Sequence, residues 1–160
     1  MIQKQISTTI EIYDSVLELP DQIQELMGSA IQARESAYAP YSKFKVGAAL
    51  ILENGEVVKG SNQENASYPS GLCAERTAIY AAGANFPDQK IKVIAITAAS
   101  TKHDVLEPVP PCGACRQAIA EYEQKQDEPI QIYFTGSKGK VLHVKSLLDI
   151  LPLAFDNKFL

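Results

Sequence analysis

The chain has 160 residues, 46% hydrophobic and 21% charged, with 15 basic against 19 acidic side chains, a net charge of −4 at pH 7 and three cysteines. That length suits one domain around a single core. The acidic balance argues against nucleic acid as the main partner, which calls for a basic footprint, and no apolar run approaches the roughly 20 residues that span a bilayer. The amino terminus, Met1 to Ile12, has no apolar signal-peptide core, so the expected address is the cytoplasm. Three cysteines cannot complete a disulfide framework, and in a reducing compartment they read as metal or catalytic thiols.

Residues 1–20 alternate, with Ile6, Thr8, Ile10 and Ile12 on one side, and predict an amino-terminal extension carrying a short added strand. Leu19-Pro20-Asp21 opens a helix whose apolar positions are Ile23, Leu26, Met27, Ala30, Ile31 and Ala33, with its end expected near Tyr38, before Pro40. Phe44–Leu52 and Val57–Ser61 flank Asn54-Gly55, a strong hairpin signal. Cys73–Ala84 and Cys112–Gln124 read as helices, and Lys92–Ala98 as a central strand. Ile130–Thr135 and Val141–Lys145 are strands joined by a link too short for a parallel crossover, so they should run antiparallel. A short helix, Ser146–Leu151, follows. The order predicts an α/β fold, a three-layer α/β/α domain over residues 21–160 built on a mixed five-stranded sheet.

All three cysteines fall in two motifs, Cys73-Ala74-Glu75-Arg76 and Pro111-Cys112-Gly113-Ala114-Cys115-Arg116-Gln117, each where a helix begins. Unpaired N–H groups and the backbone dipole favour thiolates there. If the two helices lie side by side, three sulfurs converge. Three protein ligands with a fourth position open is the pattern of catalytic zinc, whereas structural sites are closed by four. Three thiolates on Zn²⁺ leave a net −1, which a neighbouring cation should offset. A charge at 4 Å is worth about 4 kcal/mol at an effective dielectric near 20, and Arg76 is the preferred compensator over Arg116. Glu75, two residues beyond Cys73, is placed to shuttle a proton without binding the metal. Cys-x-Glu followed by Pro-Cys-x-x-Cys is similar to the zinc deaminase signature, with Cys where His often stands.

Other readings stay open on these residues alone. A Cys-x-x-Cys can be a redox pair, although the unpaired third cysteine counts against it. A structural zinc knuckle needs a fourth ligand, and His103 and His143 have no ligand spacing to the cysteines.

The chain resembles the small homotetrameric cytidine deaminases from about Leu26 onward. The resemblance is carried by Ala37-Tyr38-Ala39-Pro40-Tyr41-Ser42-Lys43-Phe44-Lys45-Val46-Gly47-Ala48-Ala49-Leu50, by Asn62-Gln63-Glu64-Asn65-Ala66, by both cysteine motifs, and by Leu151-Pro152-Leu153-Ala154-Phe155. It implies hydrolysis of cytidine and 2′-deoxycytidine to uridine or 2′-deoxyuridine, with one Zn²⁺ per subunit on Cys73, Cys112 and Cys115. Water activated at the metal would attack C4 of the pyrimidine, with Glu75 delivering protons to N3 and then to the leaving amine. The backbone around Ala74 and the carbonyls before Cys112 would bind the base edge, Asn62 and Glu64 the ribose 3′-hydroxyl, and Phe44 the base face. Ala66 and Tyr68 would line a site across a subunit interface, and Phe155 would reach a neighbour's site. Sites shared in this way imply a homotetramer taking a small nucleoside in pyrimidine salvage, with neither nucleic acid nor membrane as partner. Residues 1–20 and the missing glycine after Phe155 depart from the family pattern. A deaminase of another cytosine nucleoside, such as blasticidin S, and a non-catalytic zinc-stapled interaction module are the alternatives.

Overall fold

In the computed structural model, which describes residues 1–160, the regular elements follow local chemistry closely. Glu11–Tyr13 forms β1, Asp21–Glu35 α1, Phe44–Leu52 β2, Val57–Ser61 β3, Ala74–Asn85 α2, Ile91–Ser100 β4, Gly113–Gln126 α3, Gln131–Thr135 β5 and Val141–Val144 β6. Between β2 and β3, Gly55 takes a φ of 88°, a left-handed value that side chains resist, and its N–H closes the turn on the Leu52 carbonyl at 2.9 Å.

The strands make one mixed sheet in the order β1-β6-β5-β4-β2-β3. It has six strands rather than five, because Glu11–Tyr13 pairs antiparallel with β6 at the edge. β5 and β6 run antiparallel, as the short link demands. β4 is antiparallel to β2 and parallel to β5, the β4–β5 step being bridged by α3.

Because the middle of β4 is covered on both faces, Val93–Ile96 is an unbroken apolar run rather than an alternating one. Ile94 and Ile96 join Ala48, Leu50, Ile132 and Phe134 under Ala78, Ile79 and Ile119 of α2 and α3. On the opposite face Val93 and Ala95 meet Ile23, Leu26, Met27 and Ala30 of α1. The result is the expected three-layer arrangement. α2 sits directly on β3. A Cβ added at Gly60 would lie 2.4 Å from the Ala74 carbonyl oxygen and 2.5 Å from the Ala78 nitrogen, so the glycine sets how closely the start of α2 approaches the sheet.

Two elements differ most from the sequence reading. α1 stops at Glu35 rather than near Tyr38, because the chain turns into a bridge in which Tyr38 N–H donates to Asn62 O and Glu64 N–H donates to Tyr38 O. The helix expected over Ser146–Leu151 is a single 3-10 turn, Leu147–Asp149, closed by a reciprocal cap between Ser146 and Asp149, and a further 3-10 turn, Asn157–Phe159, follows it. Buried Glu123 ties that turn to α3, accepting from the amides of Ile130 and Leu147 at 2.8 and 2.9 Å and from the Ser146 hydroxyl. No helix is long and apolar enough to cross a membrane.

Candidate metal centre

Cys73 and Cys112 occupy the N-cap positions of α2 and α3. The two helix starts lie together, so that Cys73 Sγ stands 3.9 Å from Cys112 Sγ, and Cys112 Sγ 3.5 Å from Cys115 Sγ, although 39 residues separate the first pair. All three sulfurs lie within 4.8 Å of one another, and no fourth side chain joins the group. Sulfurs at about 2.3 Å from a tetrahedral zinc stand about 3.8 Å apart, so the donor set fits that ion and leaves one corner for a small ligand. All three cysteines are free, so the sulfurs are not spent on each other.

The charges around the sulfurs fit the same purpose. The Cys115 thiol, and after it the Arg76 guanidinium, pull the Cys73 thiol down to about 5. Arg76 donates from Nη2 to Cys73 Sγ at 3.6 Å and holds its own proton more firmly than a free arginine does. Its Nε is buried without a hydrogen-bond partner. Arg116 turns away from the sulfurs and donates to the carbonyls of Pro111 and Ile150, each at 2.8 Å. Glu75, in the first turn of α2, is only 5% exposed. Burial pushes its pKa up, and the charge on Cys73 pushes it further.

Asn62 and Glu64 follow β3. The Asn62 amide is bound to the start of β2, accepting from Val46 N–H at 2.8 Å and donating to Phe44 O at 2.9 Å. Glu64 accepts from the amides of Tyr41 at 2.8 Å and Ser42 at 3.3 Å. The Ser42 hydroxyl and then these amides lower its pKa. With Tyr41, Ser42, Asn65 and Tyr68 it lines a cleft of about 380 Å³. Tyr41, Ser42 and Asn65 were not singled out from the sequence as site residues. The signal that could have found them is a carboxylate following a strand, with a proline-bearing turn to supply free amides.

Phe44 opens β2 and is half-buried, Ala74 is fully buried at the start of α2, and Ala66 and Tyr68 are exposed. Within one chain Phe155 is not brought to the cysteines by any direct bond. It is 57% exposed, stacks on Phe159 with ring centroids 5.6 Å apart, and its carbonyl accepts from Gln117. His103 is exposed, and His143 is buried against Tyr133 and hydrogen-bonded to Glu11, so neither stands with the sulfurs.

Residues 20–127 match the family model described as the cytidine and deoxycytidylate deaminase zinc-binding region. A cytidine deaminase of Halalkalibacterium halodurans is 43% identical over 132 residues, covering 82% of this chain and 92% of its own. One of Sporosarcina psychrophila is 40% identical over 136 residues, covering 85% and 93%. The crystal structure of cytidine deaminase from Burkholderia pseudomallei superposes with a TM-score of 0.71 at 41% identity, covering 82% of this chain and 97% of that one. Alike in sequence and in backbone, the chain belongs to the cytidine and deoxycytidylate deaminase family.

Proposed function

We propose that the protein hydrolyses the exocyclic amine of cytidine and 2′-deoxycytidine, giving uridine or 2′-deoxyuridine and ammonia, with one Zn²⁺ per chain on Cys73, Cys112 and Cys115. The observation that carries this reading is the trio of sulfurs at zinc spacing with a buried carboxylate, Glu75, two residues beyond Cys73 in the first turn of α2. Zinc, when bound, supplies the Lewis acidity that brings the pKa of water from 15.7 to about 7.

The protein's own groups do the rest. Glu75 takes a proton from the attacking water, gives it to N3, and then passes the second water proton to the departing amine. Burial raises its pKa above the ordinary carboxylate value, which makes it a better proton acceptor than an exposed glutamate. Arg76 offsets the charge of three thiolates through its bond to Cys73. The backbone at Ala74 meets the base edge, and Phe44 packs on the base. Asn62 and Glu64 hold the ribose 3′-hydroxyl. Asn62 keeps one amide hydrogen beyond the bond to Phe44, and Glu64 keeps lone pairs beyond those its amide partners use. A carboxylate there suits a neutral sugar and repels a phosphate, favouring free nucleosides over nucleotides.

Ala66, Tyr68 and Phe155, exposed in a single chain, face neighbouring subunits of a homotetramer in this reading. The protein then serves pyrimidine salvage in the cytoplasm, where reducing conditions keep the closely spaced thiols free.

The test follows cytidine absorbance on adding zinc-loaded protein. A steady loss, abolished in Glu75→Ala protein that still holds zinc, supports deamination. Zinc binding without turnover would instead mark an interaction module, and preferential loss of blasticidin S in a parallel assay would move the substrate.

A further inference from the structure

The peptide that delivers Cys112 to the site is held by a residue that touches no sulfur. Arg116 is half-buried one position beyond Cys115, and its main-chain N–H donates to Cys112 O at 2.9 Å. Its side chain then makes two further bonds, Nε to Pro111 O and Nη1 to Ile150 O, both 2.8 Å. Pro110 and Pro111 have no N–H to donate, so backbone hydrogen bonds can hold this pair only through its carbonyls. Pro111 is buried, where a carbonyl without a donor costs about 1–3 kcal/mol.

The geometry of a guanidinium matters here. Its planar fork reaches two carbonyls in a fixed relation, which an ammonium on a flexible stem does not reproduce. Ile150 closes the 3-10 turn and leads into Leu151–Phe155, so one cation joins the approach to a metal ligand with the carboxyl-terminal segment. Cys112 is also the ligand with most need of such a tether. Cys115 is buried in the core and Cys73 is half-covered and bonded to Arg76, whereas Cys112 is exposed and its sulfur has only the other two sulfurs as hydrogen-bond partners.

We propose that Arg116 is a positioning residue: it fixes the Pro111–Cys112 peptide, and thereby the presentation of Cys112 Sγ to zinc, and locks that peptide to the carboxyl-terminal segment. This rests on the reading of the three cysteines as zinc ligands. The two arginines after the motifs therefore divide the work, Arg76 acting on sulfur charge and Arg116 on backbone placement.

The test is zinc release from purified holoenzyme to a chromophoric chelator, read without substrate, with hydrogen exchange of Leu151–Phe155 alongside. Arg116→Gln should release zinc about 10- to 100-fold faster than wild type, the range for lost support of a ligand. Its carboxyl-terminal amides should exchange faster, and Arg116→Lys should lie between the two. Folded variants that release zinc within twofold of wild type overturn the proposal. If Arg116→Gln does not fold, the Lys variant decides in the same way. Wild-type protein that holds zinc but leaves cytidine intact removes the deaminase reading while the release rates still decide this one. Wild-type protein that binds no zinc overturns both.

Discussion

Arg76 lies one helical turn beyond Cys73 and donates to its sulfur at 3.6 Å, so the proposed first ligand and the guanidinium proposed to balance its charge belong to the same turn of α2. In the zinc-free protein the Cys115 thiol and Arg76 hold the Cys73 thiol near 5. Arg76→Gln should therefore move the midpoint of a thiolate absorbance titration upward. In the zinc-loaded protein it should slow turnover about 10- to 100-fold with metal stoichiometry kept. Unchanged rate and unchanged titration would remove the compensating role.

Glu75 combines near-complete burial with a pKa raised first by that burial. Glu75→Gln preserves shape while removing the proton carrier. Turnover should fall by about 10²–10⁴, the usual yield of positioned acid–base catalysis, with zinc retained. Single-turnover kinetics with metal analysis on the same sample would check both halves.

Asn62 and Glu64 should respond differently to substitution, although both are read as ribose contacts. Asn62 bridges β3 to β2 through two main-chain bonds, so Asn62→Ala should cost about 1–3 kcal/mol of stability as well as raising KM. Glu64→Gln keeps an acceptor for the Tyr41 amide and should raise KM with little change in thermal midpoint. Equal stability losses in the two variants would contradict this division.

Glu128 supplies a pH signature remote from the site. Lys90 and then Lys92 hold its carboxyl at about 2, below the ordinary 4.5. A carboxyl whose pKa is depressed on folding stabilises the fold above its unfolded value, and that contribution fades as pH falls from 4.5 towards 2. The group is exposed, so the effect is small and sensitive to salt. Urea unfolding across this range should show a shallower acid limb for Glu128→Gln than for wild type.

What the sequence made legible was set by short-range chemistry. Phe44–Leu52 and Val57–Ser61 end where expected because Asn54-Gly55 fixes the turn between them. Both cysteine motifs fall at helix starts because prolines and glycine precede them. The rest depended on partners far along the chain. Nothing near Glu35 announces that Tyr38 will pair with residues 62–64, and nothing near His143 announces its stacking on Tyr133 and bond to Glu11, 132 residues away. Arg116 looked like a rival charge compensator because its neighbour is Cys115. Its actual partners, Pro111 and Ile150, were visible only once α3 and the carboxyl-terminal turn were placed together.

The two cysteine motifs are carried by different helices, with β4, one of the two central strands, lying between them in the chain. During synthesis, then, Cys73 emerges with nothing to complete its grip, and a growing polypeptide cannot load its ion until Cys115 has followed and β4 has found its place. Metal capture thus waits for α3, with β5 and β6 still to follow, and a chain truncated before α3 should leave the ribosome without zinc.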